Sequence, residues 1–115
     1  TGDGGFWYHL SEIETAVRWN LNAVILVNNN SSLNQEIGVN TRAYGGKLEK
    51  NHGDLWKFTE VNFKNVAESL GAKGIRLENP NDLPAAFDEA FNSNKLCILD
   101  VVTDQYAFPP KPWTS

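Results

Sequence analysis

Two short runs set the frame for this chain: the apolar, β-branched Ala23-Val24-Ile25-Leu26-Val27 and Leu96-Cys97-Ile98-Leu99-Asp100-Val101-Val102, apolar but for Asp100. Runs of this length and composition suit strands of a buried sheet, and the first reads as a strand buried on both faces. Segments with helical spacing lie around and between them. Ile13, Val17 and Leu21 recur at helical intervals, and Ser11 and Glu14 stand in the relation of a capping box. Phe63, Val66, Ala67 and Leu70 share one helical face, with Asn62 placed to cap the start and Gly71 to close the end. Gly74-Ile75-Arg76-Leu77 reads as a short strand. Leu83, Phe87, Ala90 and Phe91 form the expected buried face of a further helix, with Asn81 as its cap. Strands alternating with helices of this size predict an α/β fold, a parallel sheet flanked by helices.

Between Ser31 and Trp56 the periodicity is lost, and glycines at 38, 45, 46 and 53 alternate with Asn, Lys and Glu. A stretch of this length without secondary structure is expected to be a lid or a flexible loop. The Pro-rich stretch from Tyr106 to Trp113 has no helix or strand pattern. At 115 residues the chain has room for one domain, residues 1–115, and its 41% hydrophobic and 21% charged content suits a globular one. Ten Lys and Arg against fourteen Asp and Glu leave a net charge of −4, which argues against a nucleic-acid partner. The run Ala23 to Val27 is too short to cross a bilayer, and no basic segment precedes an apolar core at the N-terminus. The single cysteine, Cys97, sits in an apolar run and reads as a buried thiol. These features predict a cytoplasmic domain with no membrane partner.

The chemistry-bearing residues concentrate at two places. In a parallel βαβ unit both strands end on one edge of the sheet, and ligands bind there. The glycine-rich turn Gly2-Asp3-Gly4-Gly5 and the run Asn28 to Asn30 occupy two such ends, joined by the helix around Ser11 to Trp19. Neighbouring strands lie about 4.8 Å apart. Side chains from both tips can therefore meet on one cation, since Mg²⁺ binds oxygen at about 2.1 Å. Asp3 offers a carboxylate and Asn30 an amide carbonyl, both hard oxygen donors. Gly4 and Gly5 let backbone approach a ligand closely, and a helix N-terminus beyond them suits a diphosphate. The P-loop pattern is absent. A dinucleotide fingerprint fails too, because Trp7 stands where its third Gly belongs and Asn28 where its acidic residue belongs.

Taken together, Gly2-Asp3-Gly4 followed after residues 5 to 28 by Asn29-Asn30 resembles the signature of the thiamine diphosphate-dependent enzymes. Gly5-Phe6, Leu10, Glu12, Ile13, Ala16-Val17-Arg18 and Val24 to Asn30 resemble the diphosphate-binding domain of acetolactate synthase-like members. The likeness continues through Phe63 to Leu77 and Cys97 to Val102. It implies a thiamine diphosphate-binding fold, truncated here, with Mg²⁺ held by Asp3, the side chain of Asn30 and the backbone carbonyl of Ser32. Many relatives carry Gly where Ser32 stands, a change that a backbone ligand tolerates. Gly2, Gly4 and Gly5, with the backbone N–H groups of Leu33 and Asn34, are then the expected diphosphate contacts. Asn29 is expected to brace the turn.

The resemblance further implies a glutamate on a separate pyrimidine-binding domain, which these residues do not contain, so no catalytic side chain is expected here. The chain reads as the C-terminal part of a catalytic subunit, cut at or inside its cofactor turn. The pyrimidine-binding and central domains would lie elsewhere, in a homodimer or homotetramer acting on a small 2-oxo acid. Among members of the family, the pattern resembles acetolactate synthase, glyoxylate carboligase and sulfoacetaldehyde acetyltransferase. A sheet lacking its first strands exposes an edge, and self-association is expected to cover Trp7, Trp19 and Trp56. Two other readings compete: an α/β interaction scaffold that has lost its cofactor, and a flavodoxin-like response domain. The latter needs an acidic cluster where only Asp3 is offered. His9 reads as a capping or surface residue at the helix entry, His52 as a solvated one, and Asp100 as paired or near its strand's polar end.

Overall fold

The computed structural model describes residues 1–48 and 50–107. Helices α1 (Asp3–Trp7) and α2 (Glu12–Arg18) precede strand β1 (Val24–Asn29), which is followed by α3 (Glu36–Ala43), α4 (Phe63–Ser69), β2 (Lys73–Leu77), α5 (Leu83–Phe91) and β3 (Cys97–Val102). The three strands form a parallel sheet in the order β1-β3-β2. The expected α/β class is observed.

The central position of β3 decides which residues are buried. Cys97, Ile98, Leu99 and Asp100 are all fully buried, with alternate side chains serving opposite faces. On one face Ile98 joins Phe6, Ile13, Val27, Phe63 and Ala67. On the other, Cys97 and Leu99 pack with Leu77, Ala86 and Ala90 beneath α5. By contrast β1 is an outer strand, so its apolar run is only half-buried from Val24 to Leu26 and fully buried at Val27. Burial on both faces, expected from composition, is corrected by this strand order.

Local signals succeeded where a side chain could reach its target. The Asn62 carboxamide accepts the Asn65 N–H at 3.0 Å and starts α4. Gly71, at φ +88°, closes the same helix in a left-handed conformation. Three other cues were misassigned. Ser11 is already helical and makes no capping bond, while Glu14 instead bonds Arg18 at 3.1 Å one turn on. Asn81 does not cap α5: Asn79 accepts the Asn81 N–H, and a 3₁₀ turn over Pro80–Asp82 leads into the helix. That offset turns Ala86 and Ala90 inward and leaves Phe91 63% exposed, stacked on Phe87.

The stretch expected to lack structure contains α3 and a 3₁₀ turn over His52–Leu55. None of the residues of α3 is buried, so no apolar stripe betrays it in the sequence. Trp56 closes the segment with 1% of its surface exposed, and its indole donates to His52 Nδ1 at 3.1 Å. It is therefore covered by the chain's own fold, whereas Trp7 and Trp19 remain exposed. The end of the Pro-rich stretch lies outside the described residues. No described helix is long and apolar enough to cross a membrane.

Candidate functional site

The first two residues add a short parallel pairing to the outer edge of β1. The Thr1 nitrogen donates to the Leu26 carbonyl, Asn28 N–H donates to the Thr1 carbonyl, and Gly2 forms a parallel bridge with Asn28. The glycine-rich segment and the asparagine run thus leave adjacent strand tips on one edge, as the sequence predicted. The expected turn at Gly2 to Gly5 is in fact the first turn of α1, which begins at Asp3.

That helix start buries Asp3, with only 2% of its surface exposed. Oδ1 accepts the Gly4 N–H at 2.8 Å and Oδ2 accepts the Ser32 N–H at 3.1 Å. The same Ser32 N–H is shared with Asn30 Oδ1 at 3.2 Å. Oxygens from position 3 and position 30 therefore converge on one backbone group, twenty-nine residues along the chain from the acid. Burial pushes the Asp3 carboxyl above its ordinary 3.8, against the N–H donors of Gly4 and Ser32, which pull it down. Among the described residues it makes no ion pair. A buried carboxylate with no cationic partner is a costly arrangement that a bound cation would relieve.

These groups line one cleft of about 320 Å³, whose wall is formed by Gly2, Asp3, Gly4, Gly5, Asn28, Asn30 and the segment from Ser32 to Glu36. All eight residues predicted from the sequence lie along it. At Gly4 the chain runs close to its neighbour: a Cβ there would sit 2.4 Å from Leu33 Cδ2, so the Leu33 side chain would have to swing aside. Ser32 Oγ is buried and has no hydrogen-bond partner among the described residues, an unpaired polar atom in a wall of polar groups. One expectation changes. The Leu33 N–H does not face the cleft as a free donor but gives its hydrogen to the Trp56 carbonyl at 2.8 Å. Asn34 lines the cleft while its side-chain amide donates to the Ala107 carbonyl. Gln35 and Glu36, at the start of α3, also face the cleft and were missed, because nothing in the sequence marked that helix.

The converging donors, Asp3, Asn30 and Ser32, are oxygen throughout, with Asp3 the one carboxylate among them and Glu36 a second on the cleft wall. Among the described residues no group of three or more His, Cys, Asp or Glu gathers to hold a metal unaided. One carboxylate and an amide oxygen suit a hard cation that takes its remaining ligands from phosphate and water.

Comparison with known proteins decides the family. The family described as thiamine pyrophosphate enzyme, C-terminal TPP binding domain, matches residues 1–101. This chain belongs to that family. It is 32% identical over 104 residues to acetolactate synthase of Bacillus subtilis, covering 90% of this chain and 17% of that protein. A thiamine pyrophosphate-containing protein of Bacillus subtilis, YdaP, is 32% identical over 111 residues, covering 96% of this chain and 18% of the relative. The 2-hydroxyacyl-CoA lyase of Arabidopsis thaliana is 29% identical over 106 residues, covering 92% and 18%. The thiamine diphosphate-dependent 4-hydroxybenzoylformate decarboxylase of Rhodococcus jostii RHA1 has the same fold, with a TM-score of 0.76 at 21% identity over 90% of this chain and 19% of that one. The chain spans less than a fifth of the length of these relatives.

Proposed function

We propose that this thiamine diphosphate-binding domain holds the Mg²⁺–diphosphate end of the cofactor for a 2-oxo acid carboligase or decarboxylase of the acetolactate synthase type. The observation that carries the reading is the convergence of Asp3 Oδ2 and Asn30 Oδ1 on the Ser32 N–H inside a polar cleft. Ser32 pairs with Lys57 in an antiparallel bridge whose hydrogen bonds are made by its neighbours, Leu33 N–H to Trp56 and Phe58 N–H to Ser31. In such a pairing the N–H and C=O of the central residue leave on the opposite side. The Ser32 N–H reaches Asp3, which supports its carbonyl as the third protein ligand beside Asp3 and Asn30. Gly2, Gly4, Gly5 and Asn34 would border the diphosphate, with Leu33 contributing its side chain over Gly4. Gly4 lends no side chain and so leaves the acid and the diphosphate within reach of one cation.

When bound, the cofactor supplies carbanion chemistry at its thiazolium ring. The part of these residues is to anchor the far end and fix its direction. The pyrimidine-binding and central domains, a homodimeric or homotetrameric assembly and a cytoplasmic setting belong to the same proposal, as does a lid role for residues 31–56. The isolated 115-residue chain is then a weak binder, roughly millimolar, and releases no CO₂ from pyruvate.

Calorimetric titration with thiamine diphosphate, with and without Mg²⁺, tests the reading. Binding that needs Mg²⁺ and disappears in Asp3→Ala supports it. Binding indifferent to both, or none at any accessible concentration in the wild type, favours the scaffold reading instead.

A further inference from the structure

The turn that presents Asn30 and Ser32 is held in an unfavourable backbone state. Ser31 has φ +54°, in the left-handed region that side-chain-bearing residues seldom adopt. Such a residue persists where its surroundings over-determine it. Downstream, the Ser31 carbonyl accepts the Phe58 N–H at 2.8 Å and Gln105 Nε2 at 3.3 Å. Upstream, the hold is the side chain of Asn29, which is 3% exposed. Its amide nitrogen donates to the Val61 carbonyl at 2.9 Å and to Asp100 Oδ1 at 2.8 Å.

Asp100 lies on the central strand with none of its surface exposed. Its second oxygen accepts the Phe63 N–H at 2.9 Å and Arg76 Nη1 at 2.8 Å. Arg76 stands opposite Asp100 in the β2–β3 register and is anchored in turn by Glu60 and Glu78, each at 3.0 Å. One carboxylate thus ties together the tips of all three strands and the start of α4. A buried carboxylate is tolerated when it is paired and its lone pairs are filled, and both conditions hold here. Asp100 is not part of the cleft wall. Its direct link to the turn is the bond to Asn29, the residue before Asn30.

We propose that Asp100, kept in place by Arg76, is a positioning residue. It locks the Asn29 carboxamide and so holds the strained Ser31 turn that aims Asn30 and Ser32 at Asp3. This rests on the reading of that turn as the cation–diphosphate site, and deepens it by naming what sets its geometry.

The test is residue-resolved amide exchange by NMR on the full 115-residue chain, comparing wild type with Asn29→Ala and Asp100→Asn. Asn29→Ala removes the amide's bonds to Asp100 and Val61 and the 3.4 Å bond from Ser31 Oγ, and leaves the bonds of Asp100 to Arg76 and Phe63 in place. If Asp100→Asn fails to fold, Arg76→Lys, which loosens the hold on Asp100 and leaves Asn29 intact, takes its place. The expected result is a loss of protection of tenfold or more at Ser32 and Phe58, with the amides of the β2–β3 ladder unchanged. In Asp100→Asn the Phe63 amide joins the faster group. Protection at Ser32 and Phe58 equal to wild type in Asn29→Ala would overturn the proposal. So would a uniform fall at every amide, which is what a purely structural role produces. Exchange needs no metal, so a wild-type chain that fails to bind Mn²⁺ refutes the cation reading and not the positioning of the turn.

Discussion

Gly74 offers the sharpest test of how the sheet and its helix layer fit together. A Cβ at this position would meet the Lys64 carbonyl oxygen at 2.5 Å and the Lys64 Cα at 2.8 Å. The obstacle is backbone of α4, which cannot swing aside as the end of a side chain can. To reach ordinary contact, α4 has to withdraw from β2 by the better part of an ångström. Phe63 and Ala67 ride on that helix in the core, and the Phe63 ring meets Phe6 edge-on at a centroid distance of 5.1 Å. Overpacking of this kind costs about 1–3 kcal/mol, and a clash with backbone belongs at the upper end. For a domain of this size Gly74→Ala should lower the melting temperature by roughly 10 °C. In urea, followed by tryptophan fluorescence, the midpoint should fall by about 1.5 M with the slope unchanged. A midpoint within about 0.2 M of wild type would show that the packing of α4 on β2 is wrongly described.

Two further predictions concern single groups. Burial pushes the Cys97 thiol above its ordinary 9.0, so the folded chain keeps the proton that the unfolded chain gives up. Stability from this group is intact below pH 9.0 and is lost as the pH rises through the higher folded value, at no more than about 1.4 kcal/mol per pH unit. Cys97→Ala should flatten that alkaline decline in urea titrations, and native Cys97 should resist a thiol reagent that reacts quickly in denaturant; an equal decline in both chains would refute the assignment. Asn62→Ala removes the α4 cap and should cost about 1 kcal/mol in the same urea assay, with no change counting against the observed cap bond.

How much of this was legible in the sequence depended on whether the deciding interaction was local. The alternation of apolar runs and helical faces gave the α/β class. Asn62 and Gly71 act on their own helix, and both were read correctly. The burial of β1 was misjudged because composition does not reveal strand order, and the parallel pairing puts β3 in the centre. Ser11 and Asn81 have the right chemistry at nearly the right spacing, yet the chain enters each helix by a different turn. Helix α3 buries none of its residues, so hydrophobic periodicity had nothing to report. His52 read as a surface residue, yet it is half-buried against Trp56, four residues on across the 3₁₀ turn.

The candidate site followed a similar division. Asp3 and Asn30 could be placed at adjoining tips by topology alone, and the family resemblance added Gly2, Ser32, Leu33 and Asn34 but not Asn28, Gln35 or Glu36. That the Leu33 N–H is occupied by Trp56 depends on the Ser32–Lys57 bridge, which has no sequence signature. Asp100 offered a single buried-acid cue, without any hint that its partners would be Asn29 and Arg76 from the two flanking strands.

The most direct test of the cation site is a titration of the ¹⁵N-labelled chain with Mn²⁺ in the presence of inorganic diphosphate. Paramagnetic broadening should strike the Gly4 and Ser32 amides first, because both donate to Asp3, and should vanish from them in Asp3→Ala. Broadening that begins at the exposed carboxylates of Glu60 and Glu78, or that persists at Ser32 without Asp3, would contradict the account.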